Sequence, residues 1–565
     1  MNTDTLDRLR MLGSPIHGDQ ENADRIRAQE HDLEAGAIKD GIARKRIELL
    51  VDTDTFLPLG SLFNPEDNPE ETTGVITGLA KVHGHCVCVI ASDPSERKGA
   101  WLPGQPQKIV RIQEIAAMLR TPVFFLLECS GLDLAHQHLV YSGRESGGRI
   151  FYNNAKLANE IGVPVIAGIF GTNTAGGGYG GISATKRFAH KDASMAIAGT
   201  AIMSGMKTSR EYFSEDDIET LLEEIRKAKS VPPPGKAAIH AETGFFDGVF
   251  ESEEAVIAAM RACLIPSEPC SQRDWPDWPE YDMRELYVLL VHDHSRSYDV
   301  ESVLARIVDT SMARECMKSF GPEVYCGVAE IGGYKIGLIA NRQGALPRSY
   351  PEYAGYAGIG GKLYRQGLIK MRRFVAWCDA RQIPMVWLQD TSGIDVGDEA
   401  ERAGLLGLGQ ALICSIEKAR IPMMTVMLRK GHAASHYVMC GPMASRNAMT
   451  LGTALTQIMV MHPQSAAVAL YGGKLEKATT REEQEAVVRQ MNVMVERYRR
   501  CGSPRYAAQH GLVDEVARLA DLRRYLSWFA AASHASLSFK APATDLWHLS
   551  PRFEEETYRA AKSDV

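Results

Sequence analysis

The chain lacks most of the features that would commit it to a common enzyme or binding class. No block of basic residues interrupts its 565 residues and the net charge is −7, which argues against nucleic-acid binding by bulk electrostatics. Two long uncharged stretches are poor membrane spans: residues 161–185 are full of glycine, threonine and asparagine, and residues 447–473 are broken by His462-Pro-Gln-Ser465. The first ten residues have no apolar core of the kind a secretory leader needs. Eleven cysteines follow no zinc spacing, and the closest pair, Cys86 and Cys88, reads as one face of a strand. The expectation is a reducing, cytoplasmic setting, with any contact to the inner face of a membrane made through a partner.

Familiar catalytic signatures are missing as well. No lysine follows Gly176–Gly181 before Lys186, so a Walker A loop is excluded. Cys129-Ser130-Gly131 lacks the spacing of a nucleophile elbow. His83, His85, His136 and His138 have no metalloprotease spacing. His432 and His436 are four apart and can share a helix face as ligands, but no third acid or cysteine is spaced to join them. His240 reads as a packed or hydrogen-bonded residue.

What is present is a balance of 45% hydrophobic and 24% charged residues over a length that needs two or more cores. The most informative stretch is Gly171-Thr-Asn-Thr-Ala-Gly-Gly-Gly-Tyr-Gly-Gly181. Before it runs Val163–Phe170, of strand length; after it, Ile182–Phe188 is expected to begin a helix. A glycine loop between strand and helix leaves backbone N–H groups open to close approach by negative charge. The charge can belong to a phosphate, a dinucleotide or an oxyanion; the alternative is a tight turn at a strand end. Gly176-Gly-Gly-Tyr-Gly-Gly181 formally matches a dinucleotide fingerprint with Asp192 following. It lies deep in the chain, however, and Lys186–Lys191 does not read as a second apolar strand.

The chain is written twice. Gly78–Ala91 resembles Gly327–Ala340, Thr121–Asp133 resembles Ile383–Asp395, Ile161–Phe170 matches Arg420–Leu428 in pattern, and Thr243–Val249 resembles His510–Val516. The separations are nearly one value: 249 from Gly78 to Gly327, 262 from Gly131 to Gly393, 258 from Pro164 to Pro422 and 267 from Asp247 to Asp514. That is the size of a domain rather than a solenoid repeat. Apolar β-runs alternate with amphipathic stretches such as Lys108–Leu119 and Leu363–Cys378, which predicts an α/β fold with mostly parallel strands. The expected organisation is an exposed helical lead-in over 1–45, a first domain over 46–265, a linker over 266–290 where Pro and Trp cluster, and a second domain over 291–565.

Each copy carries two small-residue turns at strand ends. They are Ser130-Gly131 and Ala175–Gly178 in the first, and Ser392-Gly393 and Ala433–His436 in the second. The 258 offset places Ala434 on Gly176 and Ser435 on Gly177. Two N–H groups from two such loops, aimed at one point, form an oxyanion hole. Arg97-Lys98 can meet nucleotide phosphates or be a solvated pair. Tyr353, Tyr356 and Tyr364 can offer hydroxyls to an acyl group or pack. Arg365, Lys370, Arg372 and Arg373 read as a polar helix face.

These turns, together with Tyr350-Pro-Glu-Tyr353, Gly358–Gly367, Gln389–Gly397, Leu406–Gln410 and Leu428–Tyr437, resemble the carboxyltransferase subunits of biotin-dependent enzymes in the crotonase superfamily. The likeness is strongest to the decarboxylase branch that acts on glutaconyl-CoA, and runs from about Arg44 to Val516. The resemblance implies a crotonase-like spiral of ββα units in each copy and a homodimer with active sites between first and second domains of different subunits. It implies a first hole at Gly131, Gly176 and Gly177 for a thioester oxygen of a coenzyme A substrate. A second hole, at Gly393, Ala434 and Ser435, would hold the ureido oxygen of biotin. Gly178, Arg97, Lys98, Tyr353 and Tyr364 would contact substrate, and no metal is implied. Gly205-Met-Lys-Thr208 and Cys316-Met-Lys-Ser319 are poor imitations of a biotinylation signal, so biotin arrives on a separate carrier subunit. The remaining implied partner is a membrane-embedded, sodium-pumping decarboxylase subunit or, in the carboxylase branch acting on propionyl-, methylcrotonyl- or acetyl-CoA, a biotin carboxylase.

Overall fold

The structure, a computed structural model, describes residues 19–34, 41–65, 74–95, 97–141, 143–174, 179–181, 183–197, 214–229, 234–264, 281–311, 314–346, 353 and 356–538. The chain divides into two compact units: Ile38–Ser271 with Ser538–Val565, and Met1–Ala37 with Gln272–Leu537.

The first unit is built on strands β1 (Leu57–Leu59), β2 (Val75–Val82), β3 (His85–Ser92), β4 (Val123–Leu127), β5 (Val165–Ile169), β6 (Thr172–Thr174), β7 (Lys186–His190), β8 (Ser194–Ala196) and β9 (Gly248–Phe250). Its main sheet runs β1-β2-β3-β4-β5-β7-β9, with β6 and β8 paired separately. The second unit has β10 (Arg314–Glu315), β11 (Val324–Ile331), β12 (Tyr334–Asn341), β13 (Lys362–Leu363), β14 (Met385–Thr391), β15 (Gly393–Ile394), β16 (Met423–His432), β17 (Asn447–Gly452), β18 (Gln457–Met459) and β19 (Glu515–Val516). Its sheet runs β10-β11-β12-β14-β16-β17-β19. Each sheet opens with an antiparallel hairpin, β2–β3 or β11–β12, and continues as parallel strands. Parallel neighbours need helical crossovers, supplied by amphipathic helices such as Gln105–Leu119 and Arg365–Ala380. This is the repeated ββα arrangement that the sequence implies.

The duplication reaches into polar detail, much of it carried by residues outside the four matching blocks. Asp52 accepts the hairpin N–H groups of His83 (3.0 Å) and Gly84 (2.8 Å), and Arg261 bridges it to the Leu50 carbonyl. In the second unit Asp309 accepts Gly332 (3.0 Å) and Gly333 (2.7 Å), and Arg523 bridges it to the Ile307 carbonyl. Lys108 donates to the Val75 carbonyl at 2.7 Å, and Lys370 to that of Val324 at 2.8 Å. Asp247 and Asp514 each accept one N–H from the neighbouring strand, at Arg187 and Thr450. Packed around each sheet is one apolar core: Val87, Phe124, Ile166, Phe170 and Met260 in the first unit, and Ile339, Met371, Phe374, Trp387 and Met423 in the second.

Three expectations are corrected. Lys370 does not lie on a polar face; it is fully buried, with its ammonium on Glu315 (3.1 Å) and on carbonyls that burial would otherwise leave unbonded. The lead-in helix Gln20–Glu34 is not simply exposed. Its alternating charges surround a buried stripe of Ala23, Ile26 and Leu33, and Asn22 donates to the carbonyls of Tyr287 and Leu290 in its own unit. Residues 183–190 start no helix: after a single turn at Tyr179–Gly181 the chain enters β7, whose alternate residues Arg187 and Ala189 are buried. The dinucleotide reading loses the helix it needs, and Asp192 sits exposed in the turn beyond. The expected linker lies largely outside the described residues, but 286–290 is already packed, with Leu286, Tyr287 and Leu290 buried.

Asp309 is wholly buried, whereas the side chains of Asp52 and Arg261 keep 28% and 23% exposure. Removing a buried partner strands the other charge, at a cost of about 3–5 kcal/mol. Asp309→Ala is therefore expected to lower stability in urea unfolding by that amount, and Asp52→Ala by clearly less. Equal losses would contradict this ranking.

Candidate functional site

Both loop pairs arise from parallel strands that end at one sheet edge. In the first unit β4 and β5 pair from Val123↔Val165 to Leu127↔Ile169. Beyond β4 the chain turns at Gly131, whose φ of 118° is left-handed and strained for any residue with a Cβ. The turn is held from two sides. Ser130 N–H donates to the Lys98 carbonyl (3.1 Å) and Trp101 N–H to the Gly131 carbonyl (2.9 Å). From β6, the Asn173 side chain accepts Cys129 N–H (3.1 Å), and the Thr174 hydroxyl donates to the Ser130 carbonyl (2.6 Å). The Gly131 N–H has no hydrogen-bond partner among the described residues. Gly176, Gly177 and Gly178 lie outside the described residues.

The second unit repeats the frame. Here β14 pairs with β16 from Met385↔Met423 to Thr391↔Gly431, and Gly393 has a φ of 141°. Ser392 N–H donates to Gly361 (2.6 Å) and Asp395 N–H to Leu363 (3.0 Å). After β16 the helix Ala433–Val438 begins with Ala433 itself at a φ of 52°. Ala434 and Ser435 fall in its first turn, where N–H groups have no intrahelical acceptor. A Cβ added to Gly393 would lie 3.8 Å from that of Ala433, so the two loops are neighbours. The β6–β8 pairing (Thr172↔Ser194) also recurs as β16–β18 (Lys430↔Gln457), bracketing the loop in each copy.

The expected substrate residues fare differently. Arg97 and Lys98 stand against the Gly131 turn, both with left-handed backbone, and Arg97 reaches Asp133 at 3.1 Å. His136 Nδ1 also meets Asp133, at 2.6 Å. Burial pushes the Asp133 carboxyl up, but His136, the Ala135 N–H and Arg97 outweigh it and hold it below its ordinary value. In the second unit Asp395 takes the same place, with Lys362 at 3.0 Å and the Tyr353 hydroxyl at 2.7 Å. Tyr364 is a correction: it is fully buried, its hydroxyl is spent on the backbone of Ile359, and it packs against Tyr356. His240 is bonded to the Met195 carbonyl at 2.6 Å, as a packed residue would be.

Two features escaped sequence reasoning. A cavity of about 870 Å³ opens beside Trp101 and Leu132, lined by Tyr141, Arg144, Arg149 and Tyr152. Its residues are scattered over turns and two helices, Gln105–Leu119 and Gly147–Lys156, with no spacing signal. The other is a buried charge cluster at the C-terminal ends of β14 and β16, inside the second sheet. Asp390 Oδ2 accepts Arg429 Nε at 2.8 Å, and Oδ1 accepts the Lys430 N–H at 3.1 Å. The signal for it was the change from apolar to Arg429-Lys430 at the end of one strand, opposite Asp390 at the end of another. Burial would raise the Asp390 carboxyl, but Arg429 and Lys430 hold it at about 2. His432 and His436 are pushed down to about 3 and about 4, chiefly by burial, and are neutral at pH 7. His436 Nδ1 is 2.8 Å from Gln389 Oε1, and the His432 ring packs edge-on against that of His462.

Residues 39–545 match the carboxyl transferase domain. The chain belongs to the carboxyl transferase family. It is 41% identical over 505 residues to the glutaconyl-CoA decarboxylase subunit alpha of Acidaminococcus fermentans, covering 87% of this chain and 85% of that one. It is 27% identical to the biotin-dependent 3-methylcrotonyl-coenzyme A carboxylase beta1 subunit of Mycobacterium tuberculosis, over 90% and 91% of the two chains. The geranyl-CoA carboxylase beta subunit of P. aeruginosa shares its crotonase-like fold, with a TM-score of 0.72, 24% identity and coverage of 93% and 91%. These carboxyl transferase relatives are named as subunits. Among the described residues no helix is long and apolar enough to cross a membrane.

A pH dependence follows for this carboxyl transferase. The folded Asp390 carboxyl sits below its unfolded value of about 4. Its contribution to stability is complete above that value and is lost as the pH falls toward 2. Urea unfolding from pH 5 to pH 3 should therefore show a smaller loss of stability in Asp390→Asn than in the parent chain. An identical slope would contradict the ion pair.

Proposed function

We propose that this chain transfers the carboxyl group of glutaconyl-CoA to biotin carried on a separate subunit, releasing crotonyl-CoA. The observation that carries the reading is the left-handed glycine turn found at the same strand end in both copies, in a chain 41% identical to a glutaconyl-CoA decarboxylase subunit. One turn suits each of two oxyanions.

In the first unit the N–H groups of Gly131, Gly176 and Gly177 receive the thioester oxygen. The bond from carbon to the departing carboxylate breaks as CO₂ leaves, and its electron pair spreads into a dienolate whose charge rests on that oxygen. Protonation then gives crotonyl-CoA. Arg97 and Lys98 meet the phosphates of coenzyme A, Gly178 allows close approach, and the cavity beside Leu132 offers arginines to a carboxylate. In the second unit Gly393, Ala434 and Ser435 receive the ureido oxygen of the acceptor. Biotin would supply there a ring nitrogen to accept CO₂, and the proton lost from that nitrogen would balance the one that the dienolate takes up. The fit rests on two adjacent loops, with the first-turn N–H groups of Ala434 and Ser435 on one of them. Tyr353, held by Asp395, borders this loop system. Both half-reactions need oxyanion stabilisation more than a strong side-chain base.

On this reading the chain works as a homodimer with a biotin carrier and a membrane-embedded, sodium-pumping decarboxylase subunit, on the cytoplasmic side of the membrane. The similarity to methylcrotonyl-CoA carboxylase subunits supports a second reading, in which the carboxyl group moves onto an acyl-CoA.

The purified chain with free biotin and glutaconyl-CoA is expected to form crotonyl-CoA; turnover of methylcrotonyl- or propionyl-CoA instead overturns the substrate. Gly131→Ala and Gly177→Val are each expected to lower kcat by about 10²–10³-fold with the fold intact. An unchanged kcat would remove the oxyanion role.

A further inference from the structure

The two copies anchor their left-handed glycine turns with different residues. Counting back three residues from each left-handed glycine reaches a carboxylate at the strand end: Glu128 before Gly131, and Asp390 before Gly393. Each is held by an arginine. In the first unit Arg46, from the helix Ile42–Leu50, meets Glu128 at 2.7 Å and also Glu253, and lies over the Phe170 ring at 4.3 Å. The Glu128 carboxylate crosses the chain at Gly171, where any side chain would collide with it. In the second unit Arg429, which takes the place of Gly171 at the 258 offset, meets Asp390 and lies over the Tyr298 ring at 4.7 Å. The same device, acid plus arginine over an aromatic ring, has been assembled from different residues.

We propose that Asp390 and Arg429 are positioning residues that set the Gly393 loop against the Ala434–Ser435 loop; the proposal rests on the two-hole reading above. Asp390 lies on β14 and Arg429 on β16, so their bond ties the ends of the two strands from which the loops depart. Asp390 grips β16 a second time through the Lys430 N–H. Gln389 reaches past it to His436, inside the helix that carries the donors. Arg429 turns Nη1 to the carbonyls of Val291 (3.1 Å) and Arg296 (2.9 Å), which fixes its own orientation. Both side chains are fully buried. A buried ion pair adds little net stability compared with apolar residues of the same size, so its use here is in fixing a register. Misplacing donors by about 1 Å is enough to cost on the order of 10² in rate.

The test compares Asp390→Asn and Arg429→Lys with the parent chain, using two readouts. The first is turnover: crotonyl-CoA formed, carboxylated biotin formed, and KM for each substrate. The second is amide hydrogen exchange over residues 391–396 and 432–438, which needs no activity. Asp390→Asn is expected to lower biotin carboxylation about 10²-fold. KM for glutaconyl-CoA should stay unchanged, crotonyl-CoA should form in excess of carboxylated biotin, and exchange should rise in those two loops alone. Arg429→Lys keeps the charge but not the orientation, and is expected to show the same pattern more weakly; it carries the test if Asp390→Asn does not fold. The proposal is overturned if the two products fall in equal proportion, or if exchange is unchanged or rises evenly along β14 and β16. If the parent chain does not use glutaconyl-CoA, the substrate reading fails and the exchange result alone decides the positioning role.

Discussion

Parallel pairing of adjacent strands is the constraint on which everything else depends. Because β4 lies beside β5 and β14 beside β16 in the same direction, both strands of each pair end at one edge, about 4.8 Å apart. Two loops leaving neighbouring strand ends can point backbone N–H groups at one small volume without any catalytic side chain. An antiparallel pair would send the second loop to the far side of the sheet. The helical crossovers, the packed faces of Gln105–Leu119 and Arg365–Ala380, and the hairpins capped by Asp52 and Asp309 all serve to hold that parallel frame.

Given the frame, electrostatics finishes the site. The backbone donors carry only partial charge, so they act strongly only where water is excluded. The buried surroundings that make them effective also raise the cost of any stray charge. The structure answers by pairing Asp390 with Arg429, and Glu315 with Lys370 and Arg342. The nearby histidines are kept neutral by burial. The loops thus sit in a field that is fixed before substrate arrives.

Much of this was legible in the sequence, for a physical reason. Strand and helix periodicity, and turns such as Ser130-Gly131 and Ser392-Gly393, are local properties, so the duplication and the α/β class could be read from residue order. Properties set by packing could not. Lys370 reads as polar until the carbonyl of Val324 is seen beneath its ammonium. The run Ile182–Phe188 looks able to start a helix until pairing with β5 makes Lys186–His190 a strand. Tyr364 offers a hydroxyl in sequence that the fold has already bonded to Ile359. Arg429 and Asp390 are 39 residues apart, and only adjacent parallel strands make them partners. The polar repeat of Asp52–Arg261 in Asp309–Arg523 was hidden because its members lie outside the blocks that match by eye.

The account's central claim is a division of labour: the first hole for the thioester, the second for biotin. A structure of the chain with crotonyl-CoA and biotin bound tests it most directly. The account predicts the thioester oxygen about 2.7–3.1 Å from the Gly131 N–H and the ureido oxygen at the same distance from the N–H groups of Gly393 and Ala434. A thioester oxygen at Gly393, or biotin bound away from both glycine turns, would contradict it.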